Sequence, residues 1–430
     1  MSKQYQTRHW HTWFVLLFWC IVFPSSVIGQ QSAELTQLIA SVPDCAQPCL
    51  ALIFQNGDCT LAGLPGCLCS SVPIQANVSA CVQLSCAFKD QTTVATISKQ
   101  LCTGYPIESR SREVKTAAIA CAALAFPIVA LRCVARWMVT KKLWLDDWTA
   151  VMATVLLAAL IGVQIESTNL GFGRHYWNVD VVNGKTILQM FYVTQIFYIL
   201  IQVSAKGSIL ALYSRLFSNR NFRMQVWAVA VFLLSHSLVF VGLVIFQCTP
   251  ISSIWNRNLD GKCLNLTAIG YAGAAFSIVE DVVLLIMPIP ELLKLQLGTR
   301  KKAALLFMFS IGSFACVTTL VRLKYLVSFA NSLDTTFDNV PIVIWSIIEL
   351  SCALICASLP ALRPLIHMVP GALSTVRSSS FKNTTGPGPT DNTIQLNAIM
   401  KPERQSTKFQ KLPDHQTGKF KKLPDLPQKG

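Results

Sequence analysis

Among the ionisable side chains inside stretches otherwise apolar enough to cross a bilayer are Lys206, the adjacent pair Glu280-Asp281, Arg322 and Glu349. A charge at mid-membrane costs a contested ~2.5 kcal/mol or more, so such residues pair with one another, line a polar path or take part in function. Counting ~1.5 Å per residue along each helix puts Lys206 and the Glu280-Asp281 pair at depths that a long lysine side chain can bridge. Arg322 and Glu349 fall in the outer halves of the last two stretches. The arrangement suits an intramembrane polar switch, rearranged when something pushes on the helices. The plainer alternative is ion pairs that neutralise each other and set helix register. Arg215 closes the stretch that carries Lys206, at the end where a cytosolic partner would couple. His236, between Ser235 and Ser237, is expected to be a satisfied core histidine.

A second group of reactive side chains is crowded near the N-terminus. Eight of the sixteen cysteines are Cys45, Cys49, Cys59, Cys67, Cys69, Cys81, Cys86 and Cys102. That density in a small domain implies an oxidising compartment and a disulfide framework, although spacing alone leaves 105 pairings open. Cys248 and Cys263 flank one loop and are expected to bridge across it. Cys121, Cys133, Cys316, Cys352 and Cys356 sit in apolar stretches and are expected to act as small fillers. Asn77-Val78-Ser79 and Asn265-Leu266-Thr267 are glycosylation sequons.

The elements that must position these residues follow from the hydropathy pattern. Between Val114 and Leu365 there are seven apolar runs, roughly 114–135, 148–165, 187–214, 224–247, 267–289, 303–326 and 341–362. Each is close to the ~20 residues a spanning helix needs, and twice the length of a barrel strand. The expected fold is all-α: a small disulfide-rich helical domain at 30–105, then a seven-helix membrane domain at 106–365. Residues 1–29 read as a signal peptide, with Lys3 and Arg8 before the apolar core Trp13 to Phe23. Residues 366–430 read as a disordered basic tail, with a repeated segment at 408–414 and 419–425.

Composition agrees: 52% of residues are hydrophobic, 13% charged, and mean hydropathy is +0.47. Of the net charge of +15 the tail contributes +6, ten Lys/Arg against four Asp/Glu, while 30–110 holds three against five, so the excess is not spread over a soluble domain and does not imply nucleic acid. Arg136, Lys141, Lys142, Arg220, Arg223 and Arg300 to Lys302 fall in alternate loops. The positive-inside rule then places the N-terminal domain outside and the tail in the cytosol.

Two resemblances are carried by motifs. The eight-cysteine spacing, with Pro43 two residues before the first cysteine and Gly66-Cys67-Leu68-Cys69 at its centre, resembles the CFEM domain of fungal surface proteins. The resemblance implies the pairs Cys45–Cys86, Cys49–Cys81, Cys59–Cys67 and Cys69–Cys102. Some CFEM domains bind haem through an Asp three residues before the fourth cysteine. Here that position is Leu64, which cannot ligate iron, so no cofactor is expected. Leu145-Asp146-Asp147-Trp148, Gly171-Phe172-Gly173-Arg174-His175, Lys206-Gly207-Ser208, Tyr213 to Phe217, Cys248-Thr249-Pro250, Met287-Pro288-Ile289-Pro290 and Leu359 to Pro364 resemble a fungal rhodopsin-type membrane family. Together the resemblances imply a plasma-membrane, receptor-like protein of a filamentous fungus that senses extracellular or host-surface cues, with a link to infection and virulence. The implied partners are lipid, an extracellular ligand of unknown identity, and a heterotrimeric G protein at the cytosolic loops. A CFEM-type role in haem binding or suppression of host immunity is the alternative.

Other classes fit less well. No HExxH, GxSxG or phosphate-loop motif is present, so the chain is expected not to be an enzyme. Retinal would need a Schiff-base lysine, which in microbial rhodopsins lies on the last helix. Glu349 is the one ionisable residue in that run. No second half repeats the first, as it does in many transporters.

Overall fold

The computed structural model describes residues 37–362 except 56–58, 61–62, 294–298 and 331. The expected signal peptide and basic tail lie outside the described residues. Among those residues the fold is helical, with a single two-stranded ladder.

The N-terminal domain contains α1 (Gln47–Gln55), α2 (Leu64–Ser70), α3 (Val72–Ser85) and α4 (Phe88–Leu101). Pro65 and Pro73 open α2 and α3, where a helix has no use for the missing N–H. The core is two small clusters, one around Val42, Ala46 and Val82, the other around Ile53, Leu64 and Leu68. So little buried apolar area cannot hold a fold of this size firmly without crosslinks. Four disulfides supply them, Cys45–Cys86, Cys49–Cys81, Cys59–Cys67 and Cys69–Cys102. These are the pairs that the CFEM resemblance implies. Leu64 is buried in the second cluster and serves packing, with no atom that could hold a haem iron. Asn77 is exposed on α3.

The membrane domain contains α5 (Ser111–Thr140), α6 (Leu145–Leu170), α7 (Val181–Leu216), α8 (Arg220–Ile245), α9 (Leu266–Ile286), the short α10 (Ile289–Leu293), α11 (Thr299–Phe329) and α12 (Val340–Ser358). Six of these, α5 to α9 and α12, are long and apolar enough to cross a membrane. The 31-residue α11 completes the seven, since its stretch 303–320 contains no Asp, Glu, Lys or Arg. Local caps set the ends. Asp147 accepts from the Trp144 N–H at 3.1 Å, Asn219 from Asn221 at 3.2 Å, and Asn265 from Ala268 at 3.1 Å.

The bundle core mixes Leu157, Ile201, Leu350 and Leu354 with the small residues Ala118, Ala125, Ala153 and Ala205. Small side chains let helices approach closely, which matters where lipid is as apolar as leucine. Leu124, Trp227, Leu238 and Val239 face outward. So large an apolar surface belongs against lipid, because water would not tolerate it. The chain is a multi-pass membrane protein.

At the end of the bundle nearest the cysteine-rich domain, the segment between α6 and α7 acts as a clamp. Gly173, at φ +91°, lies so close to Ser111 that a Cβ there would stand 2.8 Å from its nitrogen. Arg110 N–H donates to Gly173 O at 2.8 Å, and the Ser111 hydroxyl to Phe172 O at 2.6 Å. His175 stacks between Trp177 and Phe337, with centroids 4.6 and 4.0 Å away, and its Nδ1 lies 2.5 Å from Asp334 Oδ2. Tyr176 N–H also donates to Asp334, at 2.9 Å. Burial pushes the Asp334 carboxyl above its ordinary range, against the opposite pull of His175 and the Tyr176 N–H. The same segment carries the CFEM-like domain: Trp177 donates to Gln75, and Asp180 pairs with Lys99. Nearby, β1 (Cys248–Thr249) and β2 (Lys262–Cys263) run antiparallel, with a Cys248–Cys263 disulfide across the pair.

Candidate functional site

Helical spacing puts the buried polar residues on inward faces. Tyr198, Gln202 and Lys206 recur at four-residue steps on α7, Ser277 and Glu280-Asp281 occupy one face of α9, and Thr319 and Arg322 one face of α11. In the bundle these faces converge with His236 of α8 and Glu349 of α12.

Lys206 Nζ lies 3.1 Å from Glu280 and 2.8 Å from Asp281, and also donates to the Ser277 hydroxyl at 3.1 Å. The other oxygen of Glu280 stands 2.9 Å from His236 Nδ1. Thr319 donates to Asp281 at 3.0 Å. Arg322 is 2.9 Å from Glu349 and stacks over the Tyr198 ring at 4.8 Å. Tyr198 donates to Glu349 at 3.0 Å, and Ser277 joins the two ion-pair groups with a 3.4 Å contact to the same carboxylate. One network therefore ties five helices, α7, α8, α9, α11 and α12. In low dielectric, breaking one member strands a charge, so the network has few comfortable arrangements and sharp transitions between them.

A cavity of about 240 Å³ lies against this network. Its lining runs from Glu280 and Ser277 to Phe329 and Asn339, at the ends of α11 and α12 nearest the CFEM-like domain. Phe191, Phe240 and Ile347 form apolar walls, and Gln195, Gln202, His236 and Arg322 supply polar groups. Few precisely placed polar groups in an apolar concavity are what a small-molecule site requires.

At the opposite end of the bundle is a second cluster. Arg132 of α5 is fully buried and donates to Asp147 Oδ1 at 3.0 Å, to Asp146 Oδ2 and O at 2.9 Å each, and to the Ala357 carbonyl of α12. Arg136 adds a contact to Asp146 at 3.3 Å. Ser208 of α7 donates to Asp146 O at 2.7 Å. Arg215 lies over the Trp144 ring at 4.7 Å and 3.9 Å from Asp146.

The structure thus brings Lys206 to both Glu280 and Asp281, pairs Arg322 with Glu349, and sets Arg215 at the rim of the second cluster. Asn265 is exposed and caps α9. His236 differs from expectation. It is not satisfied within the core, since its Nε2 has no protein hydrogen-bond partner and the ring lines the cavity. The signal for it was the stripe Leu233, His236, Phe240 on one face of α8, which periodicity alone reads as core. Arg132 was also missed; Arg132 and Arg136 one turn apart, opposite Asp146-Asp147 across a short loop, carried that information.

The profile of the fungal rhodopsin domain matches residues 131–368, and that of the CFEM domain matches residues 38–103. A SAT4 family membrane protein of Emericella nidulans is 29% identical over 241 residues, covering 54% of this chain and 61% of that protein. The polyenoic acids biosynthesis gene cluster protein Ba17b of Metarhizium anisopliae is 30% identical over 257 residues, 56% and 70% of the two chains. Receptor GIN3 of Arthrobotrys oligospora is 30% identical over 261 residues, 58% and 62%. The chain therefore spans between 61% and 70% of the length of these curated relatives. No solved structure matches.

Proposed function

The chain belongs to the fungal rhodopsin family and carries a CFEM domain, and from that premise we propose that it is a cell-surface receptor-type sensor rather than an enzyme. The observation that carries this reading is the cavity of about 240 Å³ whose floor is an ion-pair network shared by five helices. A ligand in the cavity changes the equilibrium between bundle arrangements only if it binds one better than another, and contact with a network of this kind supplies that difference. The similarity to a relative named a receptor supports the same reading.

In this reading the CFEM domain lies outside the plasma membrane, above the cavity mouth. The Arg132–Asp146–Asp147 cluster, with Arg215 at its rim, lies at the cytosolic end, where a partner such as a heterotrimeric G protein would dock. Extracellular or host-surface cues met during infection are the setting the CFEM architecture suggests. Leu64, buried in apolar packing, speaks against a haem-carrying role.

The test is a double-mutant cycle on the network. Lys206→Met and Asp281→Asn, each delivered to the surface, should shift basal or stimulated signalling, read as cyclic-nucleotide level. The double variant should restore it in part, because it returns the network to its original net charge, which Lys206→Met makes one unit more negative and Asp281→Asn one unit less negative. Wild-type signalling from both singles, or failure of both to reach the surface, would refute the switch.

A further inference from the structure

The charges of the network do not balance, and the imbalance sits beside the cavity. The network contains three carboxylates, Glu280, Asp281 and Glu349, and two permanent cations, Lys206 and Arg322. Arg322 and Glu349 pair one to one. Lys206 is shared between Glu280 and Asp281, so one positive charge serves two negative ones. Of the three carboxylates only Glu280 lines the cavity.

The hydrogen bonding points the same way. His236 Nδ1 stands 2.9 Å from Glu280 Oε1, yet neither atom makes a hydrogen bond, so this carboxylate oxygen is left as an acceptor without a partner. Gln202 is 8% exposed and its Nε2 donates to Tyr198 and Glu349, which leaves its Oε1 without a partner. Gln195 Oε1 also has no partner. The cavity therefore offers three free acceptors and an excess negative charge, within walls that include Phe191, Phe240 and Phe329.

We infer that this cavity binds a small organic cation, a primary ammonium group on an apolar or aromatic body, with the ammonium seated at Glu280 and His236. This deepens the receptor reading and rests on its assignment of the cavity as the ligand site. An ammonium has three N–H donors and no acceptor, which complements the free oxygens of Glu280, Gln195 and Gln202, while the charge of Arg322, which also lines the cavity, is balanced by Glu349. A cavity of about 150 Å³ holds a benzene-sized molecule, so the larger space here accommodates a ring with a short aminoalkyl arm.

The experiment uses the full chain in lipid nanodiscs near pH 7.5 and three probes of one shape: 2-phenylethylamine, 2-phenylethanol and phenylacetate. The amine should raise Tm saturably, by on the order of 3 °C, while the alcohol and the acid leave it unchanged. Ser346→Phe, which fills the cavity without touching a charge, should abolish the shift. His236→Lys, which supplies the missing cation from the protein, should abolish it as well. Equal shifts from all three probes, no shift from the amine, or an amine shift that survives Ser346→Phe would overturn the inference. Preference for the acid would overturn it too, while leaving the cavity a ligand site and the receptor reading intact. The receptor reading itself fails by signalling of the Lys206 and Asp281 variants, a separate measurement.

Discussion

Replacing Arg132 by methionine keeps the volume of the buried side chain and removes its charge and every hydrogen bond it makes. Hydrogen bonds to charged partners contribute ~1.5–3 kcal/mol apiece, but four bonds from one guanidinium act as a unit and do not add. The better guide is that opening one side of a buried ion pair costs about 3–5 kcal/mol, because the remaining charge is stranded. Two features place the value at the lower end. Arg136 stays within 3.3 Å of Asp146 and 3.7 Å of Asp147. Both aspartates also occupy the first turn of α6, where a helix terminus favours negative charge by about 0.3–1 kcal/mol.

The expected loss is therefore about 3 kcal/mol. Arg132→Lys keeps the charge but replaces a planar five-donor fork with a single point, and should lose about half as much. Titration of both variants with dodecyl sulphate in mixed micelles, followed by tryptophan fluorescence, measures the difference from wild type. A methionine variant within about 0.5 kcal/mol of wild type, the range of an ordinary surface change, would refute the claim that this cluster ties α5, α6 and α12 together.

Three further outcomes follow from the structure. Cys69→Ser opens a loop of sequence separation 33 and Cys59→Ser one of 8, so on chain-entropy grounds the first should destabilise by about 1.3 kcal/mol more; thermal unfolding of the two full-length variants gives the order. Gly173→Ala forces a side chain into φ +91° and against Ser111, and should cost about 1–3 kcal/mol, seen as faster amide exchange over 109–114 and 171–177. Because Asp334 has a raised carboxyl in the folded chain, its contribution favours folding most fully below the ordinary value of about 3.9 and is lost as pH rises through the raised one. Asp334→Asn should accordingly flatten the fall in Tm as pH rises above the ordinary carboxylate value; an unchanged slope would contradict it.

The sequence by itself determined what depends on short-range physics. A bilayer demands an unbroken apolar run of helical length, so the spanning helices were readable to within a few residues. Charged residues deep inside such runs stand out, as Lys206, Glu280, Asp281, Arg322 and Glu349 did, whereas Arg132, near the end of its run, did not. The cysteine-rich domain was readable because crosslinks need a particular density and spacing of cysteines.

What only the tertiary structure decided is how each helix is rotated about its axis and which helix it meets. Arg132 reaches the Ala357 carbonyl 225 residues away, and no local pattern in α5 or α12 encodes that contact. His236 has the same helical spacing as a core filler. It becomes part of a charged site only because α8 turns that face toward Glu280 of α9. The sharing of Lys206 between two carboxylates, and with it the uneven charge beside the cavity, comes from the packing of α7 against α9 and α11. The clamp of Gly173, His175 and Asp334, which carries the CFEM domain on the bundle, is built from loop residues. Loops have no periodicity from which such contacts could be read.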